Sequence, residues 1–209
     1  MEFFEVISTN RACRHFLPDP VPDELIERVL DAAVRAPSGS NRQTWRFLVL
    51  RDPAVRATIG GLYREGYYEY IPERLKALPG SERTRLFQSA VYLADHMASE
   101  PPVLIMACLE QGPNDAPAGR IGGASIYPAV QNLMLAARAL GLGTCLTTLH
   151  MRREQAVKEA LGIPRHVDTY ALIPIGYPVR PFGTLRRLPV EQVTFFDRWD
   201  QSNSTTETE

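Results

Sequence analysis

The sequence is poor in the features that most often settle a protein's class. Its three cysteines, Cys13, Cys108 and Cys145, are odd in number and without CxxC spacing. That argues against a disulfide framework or a cysteine zinc centre and fits a reducing compartment. The four histidines, His15, His96, His150 and His166, lie far apart with no HExxH or other paired-ligand spacing, so no metal site is expected. An excess of one charge is missing too: Lys+Arg total 23 against Asp+Glu 24, a formal net charge of −1. A non-specific nucleic-acid partner needs a basic field that this balance does not provide. No window reaches the roughly 18 apolar residues of a membrane span, and Met1–Glu5 has neither a basic nor a long apolar leader region. No membrane partner is expected, and the cytoplasm is the expected location. There are no internal repeats.

What is present is enough apolar material for one substantial core, 44% of 209 residues. One domain is expected over 1–199, with 200–209 a polar tail whose composition fits disorder. From Pro22 to Arg35 the residues Leu25, Ile26, Val29, Leu30, Ala33 and Val34 form a helical stripe, with Asp23 and Glu24 in its first turn. Phe47–Leu50 reads as a buried strand. Asp52-Pro53 then caps a helix to about Ile59, which Gly60-Gly61 is expected to break. Residues 62–80 read as irregular or weakly helical. A helix over Ser81–Ala98 turns Leu86, Phe87, Ala90, Val91, Ala94 and Met97 inward, and Val103–Leu109 is a strand. Residues 110–119 are a loop. Ile121–Leu140 is apolar nearly all round, apart from Gln131, Asn132 and Arg138, and belongs in the core. Thr144–Leu149 reads as a strand, Arg152–Leu161 as a helix stopped by Gly162, and Asp168–Gly176 as a buried strand. Without regular βαβ alternation, this order favours an α+β fold over a doubly wound parallel sheet.

Two motifs carry chemistry. Arg11 and Arg14, three apart, can reach one anion, although an arginine pair near a terminus is ordinarily a solvated surface feature. Pro37-Ser38-Gly39-Ser40-Asn41 offers backbone N–H groups and short polar side chains, although such turns also serve as plain helix-to-strand connections. Together they suit a flat, phosphorylated cofactor. Gly141-Leu142-Gly143 follows a helix and precedes a strand, the reverse of a dinucleotide-binding turn, and serves better as a helix C-cap. Gly123-Ala124-Ser125-Ile126-Tyr127 lacks the closing glycine and preceding strand of a nucleophile elbow. Trp45 reads as a core anchor, and the cysteines as buried structural residues. His150 is the one histidine near the proposed cofactor segments.

Three blocks in order resemble the nitroreductase family of dimeric FMN flavoproteins. They are Arg11–Arg14 with Ala36–Leu50; Gly122–Leu133 continuing to Thr144; and Ile173–Pro178 followed by Arg186-Arg187-Leu188-Pro189. The match spans most of residues 2–193. It implies a mainly antiparallel sheet surrounded by helices, with a C-terminal extension wrapping the partner subunit, where Phe195, Phe196 and Trp199 would find cover. It also implies a homodimer with FMN at the subunit interface. The family commonly has a basic residue where this chain has Asn10, and a serine where it has Ala12. The phosphate would therefore rest on Arg11, Arg14 and Arg187, with Arg186 in reserve. Pro37, Ser38, Gly39 and Asn41 would meet the flavin edge of the opposite subunit, and Thr44 stands where proline is usual. Leu146, Thr147 and Thr148 would face the pyrimidine end of the ring, or form an ordinary buried strand.

By the same resemblance the chain would be an oxidoreductase. It would take hydride from NADH or NADPH at flavin N5 and pass electrons, by a ping-pong mechanism, to small flat acceptors such as nitroaromatics, quinones or enones. The flavin carries that chemistry, so no catalytic side chain is named. Tyr67 and Tyr68, within the segment from Tyr63 to Tyr70, read either as a lid over the acceptor or as part of a peripheral helix or loop. Two alternatives stand beside this reading: a flavin-dependent dehalogenase or flavin-cleaving relative on the same fold, and an FMN storage protein with little turnover.

Overall fold

The structure is a computed structural model describing residues 1–112 and 119–199, with the backbone alone for 119–121. The proposed tail at 200–209 and most of the loop expected over 110–119 lie outside the described residues. In chain order the elements are α1 (Phe3–Thr9), α2 (Asp23–Ala33), β1 (Trp45–Leu50), α3 (Pro53–Ala77), α4 (Arg85–His96), β2 (Val103–Glu110), α5 (Gly119–Ala139), β3 (Gly143–Thr144), α6 (Glu154–Leu161) and β4 (Val167–Gly176). Short 3-10 turns lie at Gly39–Asn41, Ser81–Arg83, Leu149–Arg153 and Val190–Gln192.

The strands form one antiparallel sheet in the order β1-β2-β4-β3. Alternation along a strand sends successive side chains to opposite faces, and both faces are covered. Val103, Ile105, Ala107 and Leu109 of β2 pack with α2 and α5 on one side. Leu104, Met106 and Cys108 pack with α3, α4 and α6 on the other. A strand buried on both faces reads as an unbroken apolar run, which is why β2 and β4 stand out in the sequence. The register slips where Ala107 pairs with Ala171 but Cys108 with Thr169, leaving Tyr170 as the extra residue. The fold is α+β, with one mainly antiparallel sheet between helices, as expected.

Trp45 is buried in the core, and all three cysteines are free and buried. Burial pushes the Cys13 and Cys108 thiols up to about 12, so they are not poised nucleophiles. α5 presents Ile126, Ala129, Val130, Leu133 and Ala137 to the core. Of its three polar exceptions, Asn132 donates to the Ala32 carbonyl, Arg138 donates to the Thr9 hydroxyl, and Gln131 is exposed. Gly141, at φ 84°, ends the helix in the left-handed conformation, with Leu142 N–H bonded to the Ala137 carbonyl. Among the described residues no helix is long and apolar enough to cross a membrane, and no His/Cys/Asp/Glu group could hold a metal.

Four expectations are corrected. The helix that begins at Asp52-Pro53 does not stop at Gly60-Gly61 but runs 25 residues to Ala77, through Pro72. Gly60 is a close-approach residue: a Cβ there would lie 2.6 Å from the Ala98 backbone nitrogen. Residues 62–77 are accordingly helical, with Tyr63, Gly66 and Tyr67 buried along one stripe. Leu86 is 58% exposed rather than inward, and Leu93 fills the core in its place. The strand expected over Thr144–Leu149 is two residues long; beyond it only Thr147 bridges to Leu172, and a 3-10 turn starts at Leu149.

The two adjacent glycines of α3 should respond in opposite directions. Gly61 faces open space, so Gly61→Ala should stabilise by about 1 kcal/mol through helix propensity. Gly60→Ala must displace the Ala98 backbone and should destabilise by about 1–3 kcal/mol. Urea unfolding of both variants measures the pair, and equal effects would contradict the helical path through Gly60-Gly61.

Candidate functional site

The site is built at the β3 edge of the sheet, where chain segments from both ends meet. Residues 10–14 lie along β3 through a parallel bridge between Ala12 and Thr144, with Cys13 N–H bonded to the Thr144 carbonyl at 2.8 Å. The fit is close, since a Cβ on Gly143 would lie 2.7 Å from Cys13 Sγ and 3.1 Å from the Phe182 ring. With Cys13 turned into the core, its neighbours are left at the surface: Arg11 and Ala12 are exposed and Arg14 is half-buried. The C-terminal stretch returns over the same place. Leu17 N–H bonds the Tyr177 carbonyl, Leu185 N–H bonds the Ser8 carbonyl, and the Arg138 guanidinium sits 5.3 Å from the Phe182 ring centroid. This path carries Arg187 to Arg11.

Two cavities flank the joint. One, of about 530 Å³, is lined by Asn10, Arg11, Ala12, Gln131, Leu146 and Arg187 among others. The second, of about 340 Å³, is lined by Arg14, Tyr63, Tyr70, Leu146, Thr147 and Thr148 among others. Leu146 is a wall of both. A groove of similar volume by Arg51 and Asp52 holds none of the candidate cofactor-binding residues. We therefore place the candidate site in these two adjacent cavities, whose volumes are of the size that small ligands occupy.

Their electrostatics are one-sided. Among the described residues Arg11 and Arg14 make no ion pair, and Arg187 donates only to the Arg186 carbonyl. No carboxylate lines either cavity. Three guanidiniums with no internal counter-charge favour an anionic ligand. The backbone adds donors, because the N–H groups of Leu146 and Thr148 bond to no described residue. Thr147 is spent otherwise: its N–H and hydroxyl both go to the Leu172 carbonyl, and its own carbonyl accepts from Leu172 N–H.

The residues singled out from the sequence are thus partly assembled. Arg11, Ala12, Leu146 and Arg187 share one cavity, and Arg14, Leu146, Thr147 and Thr148 share the other. Arg186 is exposed and lines neither. Pro37, Ser38, Gly39 and Asn41 also line neither; their loop rests on α5 through Gly39 N–H and the Ser125 hydroxyl at 3.1 Å. The loop is strained, with the non-glycine residues Ser40, Asn41 and Gln43 all at φ of 52–54°. Tyr67 is buried in the core, and the Tyr68 hydroxyl donates to Asp95 at 3.0 Å. In their place Tyr63 and Tyr70 line the smaller cavity, and Gln131 lines the larger. The spacing of Tyr63, Tyr67 and Tyr70 is the available signal for the first two, and a polar side chain on an otherwise apolar helix is the signal for Gln131.

Comparison with known proteins shows the family. The model of the nitroreductase family matches residues 7–177. A protein of Methanothermobacter thermautotrophicus whose name couples NADH dehydrogenase with NAD(P)H nitroreductase is 31% identical over 186 residues, 88% of this chain and 81% of the relative. A 4-nitrobenzoate reductase of a Nocardioides species is 29% identical over 234 aligned positions, covering 96% of this chain and 92% of the relative. Among solved structures, an iodotyrosine deiodinase bound to FMN and 3-iodo-L-tyrosine superposes with a TM-score of 0.70 at 25% identity, over 90% of this chain and 96% of that one.

Next to the smaller cavity, in the 3-10 turn that follows Thr148, His150 is fully buried and neither ring nitrogen has a hydrogen-bond partner. Burial lowers its pKa from 6.5 to about 4, with Glu154 opposing weakly. Between those values the unfolded chain binds the extra proton. Stability is therefore complete above pH 6.5 and falls as the pH drops toward 4. By pH 4.5 this group should cost about 2–3 kcal/mol. Urea unfolding at pH 7 and pH 4.5 should show that loss in the wild type and not in His150→Leu; parallel losses would contradict a neutral buried imidazole.

Proposed function

Because the chain belongs to the nitroreductase family and is an NAD(P)H oxidoreductase of that kind, we propose that it holds FMN across the two adjacent cavities. Electrons pass from NADH or NADPH to nitroaromatic, quinone or related flat, electron-poor acceptors in two alternating half-reactions. The observation that carries this reading is the set of guanidiniums without counter-charge: Arg11 and Arg187 in one cavity, Arg14 in the next. A phosphate carries about −1.5 to −2 charges, and each charge-assisted hydrogen bond contributes roughly 1.5–3 kcal/mol. Arg11 and Arg187 accordingly hold the phosphate, with Arg186 adjacent in sequence.

Arg14 takes a different part from the one the sequence suggested. It opens into the cavity with Tyr63, Tyr70 and Thr148, so it serves the ring end rather than the phosphate. Bound FMN supplies the two-electron chemistry. The chain's own part is to bind, shield and polarise. At the ring end, the Arg14 guanidinium and the free N–H groups of Leu146 and Thr148 favour a cofactor state with added negative charge. Tyr63 and Leu93 form an apolar floor that keeps water away.

We read residues 1–199 as a single FMN-binding domain that works as a homodimer. Phe3 and Phe4 of α1 and Phe195, Phe196 and Trp199 at the C-terminal end are exposed aromatics that a partner subunit would cover. The strained loop at Pro37–Asn41 lines neither cavity of its own chain, which supports a role in the partner's site.

The absorbance spectrum of the purified protein, followed by anaerobic addition of NADH and then NADPH, tests the proposal. A flavin spectrum that bleaches promptly with one donor is the expected outcome. A flavin spectrum that persists with both donors would turn the reading toward storage, and failure to take up FMN would remove it.

A further inference from the structure

The smaller cavity has two walls made by different parts of the chain, and a row of charges joins them from outside. Tyr63 and Tyr70 come from α3, while Leu146, Thr147, Thr148 and Leu149 come from the chain leading into the 3-10 turn at Leu149–Arg153. Glu65, Glu69 and Glu73 are spaced by four along one face of α3. The turn meets all three: Arg153 pairs with Glu65 at 3.1 Å and with Glu69, and Arg152 grips both oxygens of Glu73 at 3.0 and 2.5 Å. The backbones touch as well, since a Cβ on Gly66 would lie 2.3 Å from the Leu149 carbonyl oxygen.

Exposed ion pairs of this kind contribute little to stability, so this one is better explained by what it positions. The Arg152 guanidinium, fixed by its two bonds to Glu73, lies 5.6 Å from the Tyr70 ring centroid. Tyr70 is partly exposed and faces the cavity, whereas Tyr63 is buried in the floor. We propose that Tyr70 is a specificity-determining residue, the face on which the flat acceptor stacks, and that Arg152 and Glu73 are positioning residues that hold its ring at the width of the cavity. An electron-rich phenol ring stacks well on an electron-poor acceptor, and a fused two-ring acceptor offers more face than a single ring. The inference rests on the flavin ring end lying in this cavity, as proposed above, with the acceptor entering beside it.

The test is steady-state turnover by the FMN-loaded enzyme with p-benzoquinone and with menadione, using whichever nicotinamide bleaches the flavin. Tyr70→Ala should raise KM for menadione about 5- to 10-fold more than for p-benzoquinone, the scale of one aromatic contact. Glu73→Gln, a surface change, should move the ratio the same way by about 2- to 3-fold, and Tyr70→Phe, which keeps the ring, should leave the ratio at its wild-type value. Bound FMN and the rate of flavin bleaching should stay at wild-type values in Glu73→Gln. An unchanged ratio in both Tyr70→Ala and Glu73→Gln, or equal losses on both quinones, overturns the inference while leaving the reductase reading intact. A wild type that turns over neither quinone overturns the reductase reading itself, and this inference with it.

Discussion

The candidate site depends on how closely residues 10–14 approach β3. Cys13 occupies the space where any side chain at position 143 would stand, and its N–H closes on the Thr144 carbonyl. The placement of the arginines follows from that contact. It sends Cys13 inward and leaves Arg11 and Arg14 to open into separate cavities, with Leu146 between them. Phe182 packs on the same glycine, so the C-terminal stretch is guided by the same contact and delivers Arg187 beside Arg11. Arg11 and Arg187 then line one cavity and Arg14 the next, with no carboxylate lining either, an arrangement that favours an anionic ligand.

A second close approach does for the smaller cavity what Gly143 does for the larger. α3 lies against the turn at Leu149–Arg153 because Gly66 lets the Leu149 carbonyl in, and against the end of α4 because Gly60 admits Ala98. With the helix seated this deeply, Tyr63 becomes the floor of the cavity and Tyr70 its wall. The arginines of the turn then face a stripe of glutamates rather than solvent. The resulting clamp is local, and it connects an exposed charge pattern to the shape of a cavity that neither arginine lines.

The parts of this architecture that periodicity governs were legible in the sequence. The central strands β2 and β4, the stripe of α2, the core helix α5 and the left-handed cap at Gly162 all follow from apolar spacing and glycine chemistry. What was not legible depends on backbone contacts across long sequence distances. Gly60-Gly61 looks like a breaker until Ala98 is seen against it, and the chain after Thr144 looks like a strand until it has only Leu172 as a bridge partner. At the site the arginines could be named but not apportioned. That Arg14 faces a different cavity from Arg11 and Arg187 depends on which residues flank a bridge at Ala12, a matter of register rather than residue type. Tyr63 and Tyr70 stand out over Tyr67 and Tyr68 only once the segment is a helix, in which residues three and four apart share a face.

The division of labour among the arginines is the central claim, and the binding of FMN compared with riboflavin tests it most directly, because the two ligands differ only in the phosphate. Titration calorimetry on the apoprotein should show that replacing Arg11 and Arg187 together by alanine weakens FMN at least about 100-fold, from two lost charge-assisted contacts, and leaves riboflavin nearly unchanged. Arg14→Ala should weaken both ligands alike. If Arg14→Ala removed the advantage of FMN over riboflavin while the Arg11/Arg187 double variant kept it, the assignment of the two cavities would be reversed and the account contradicted.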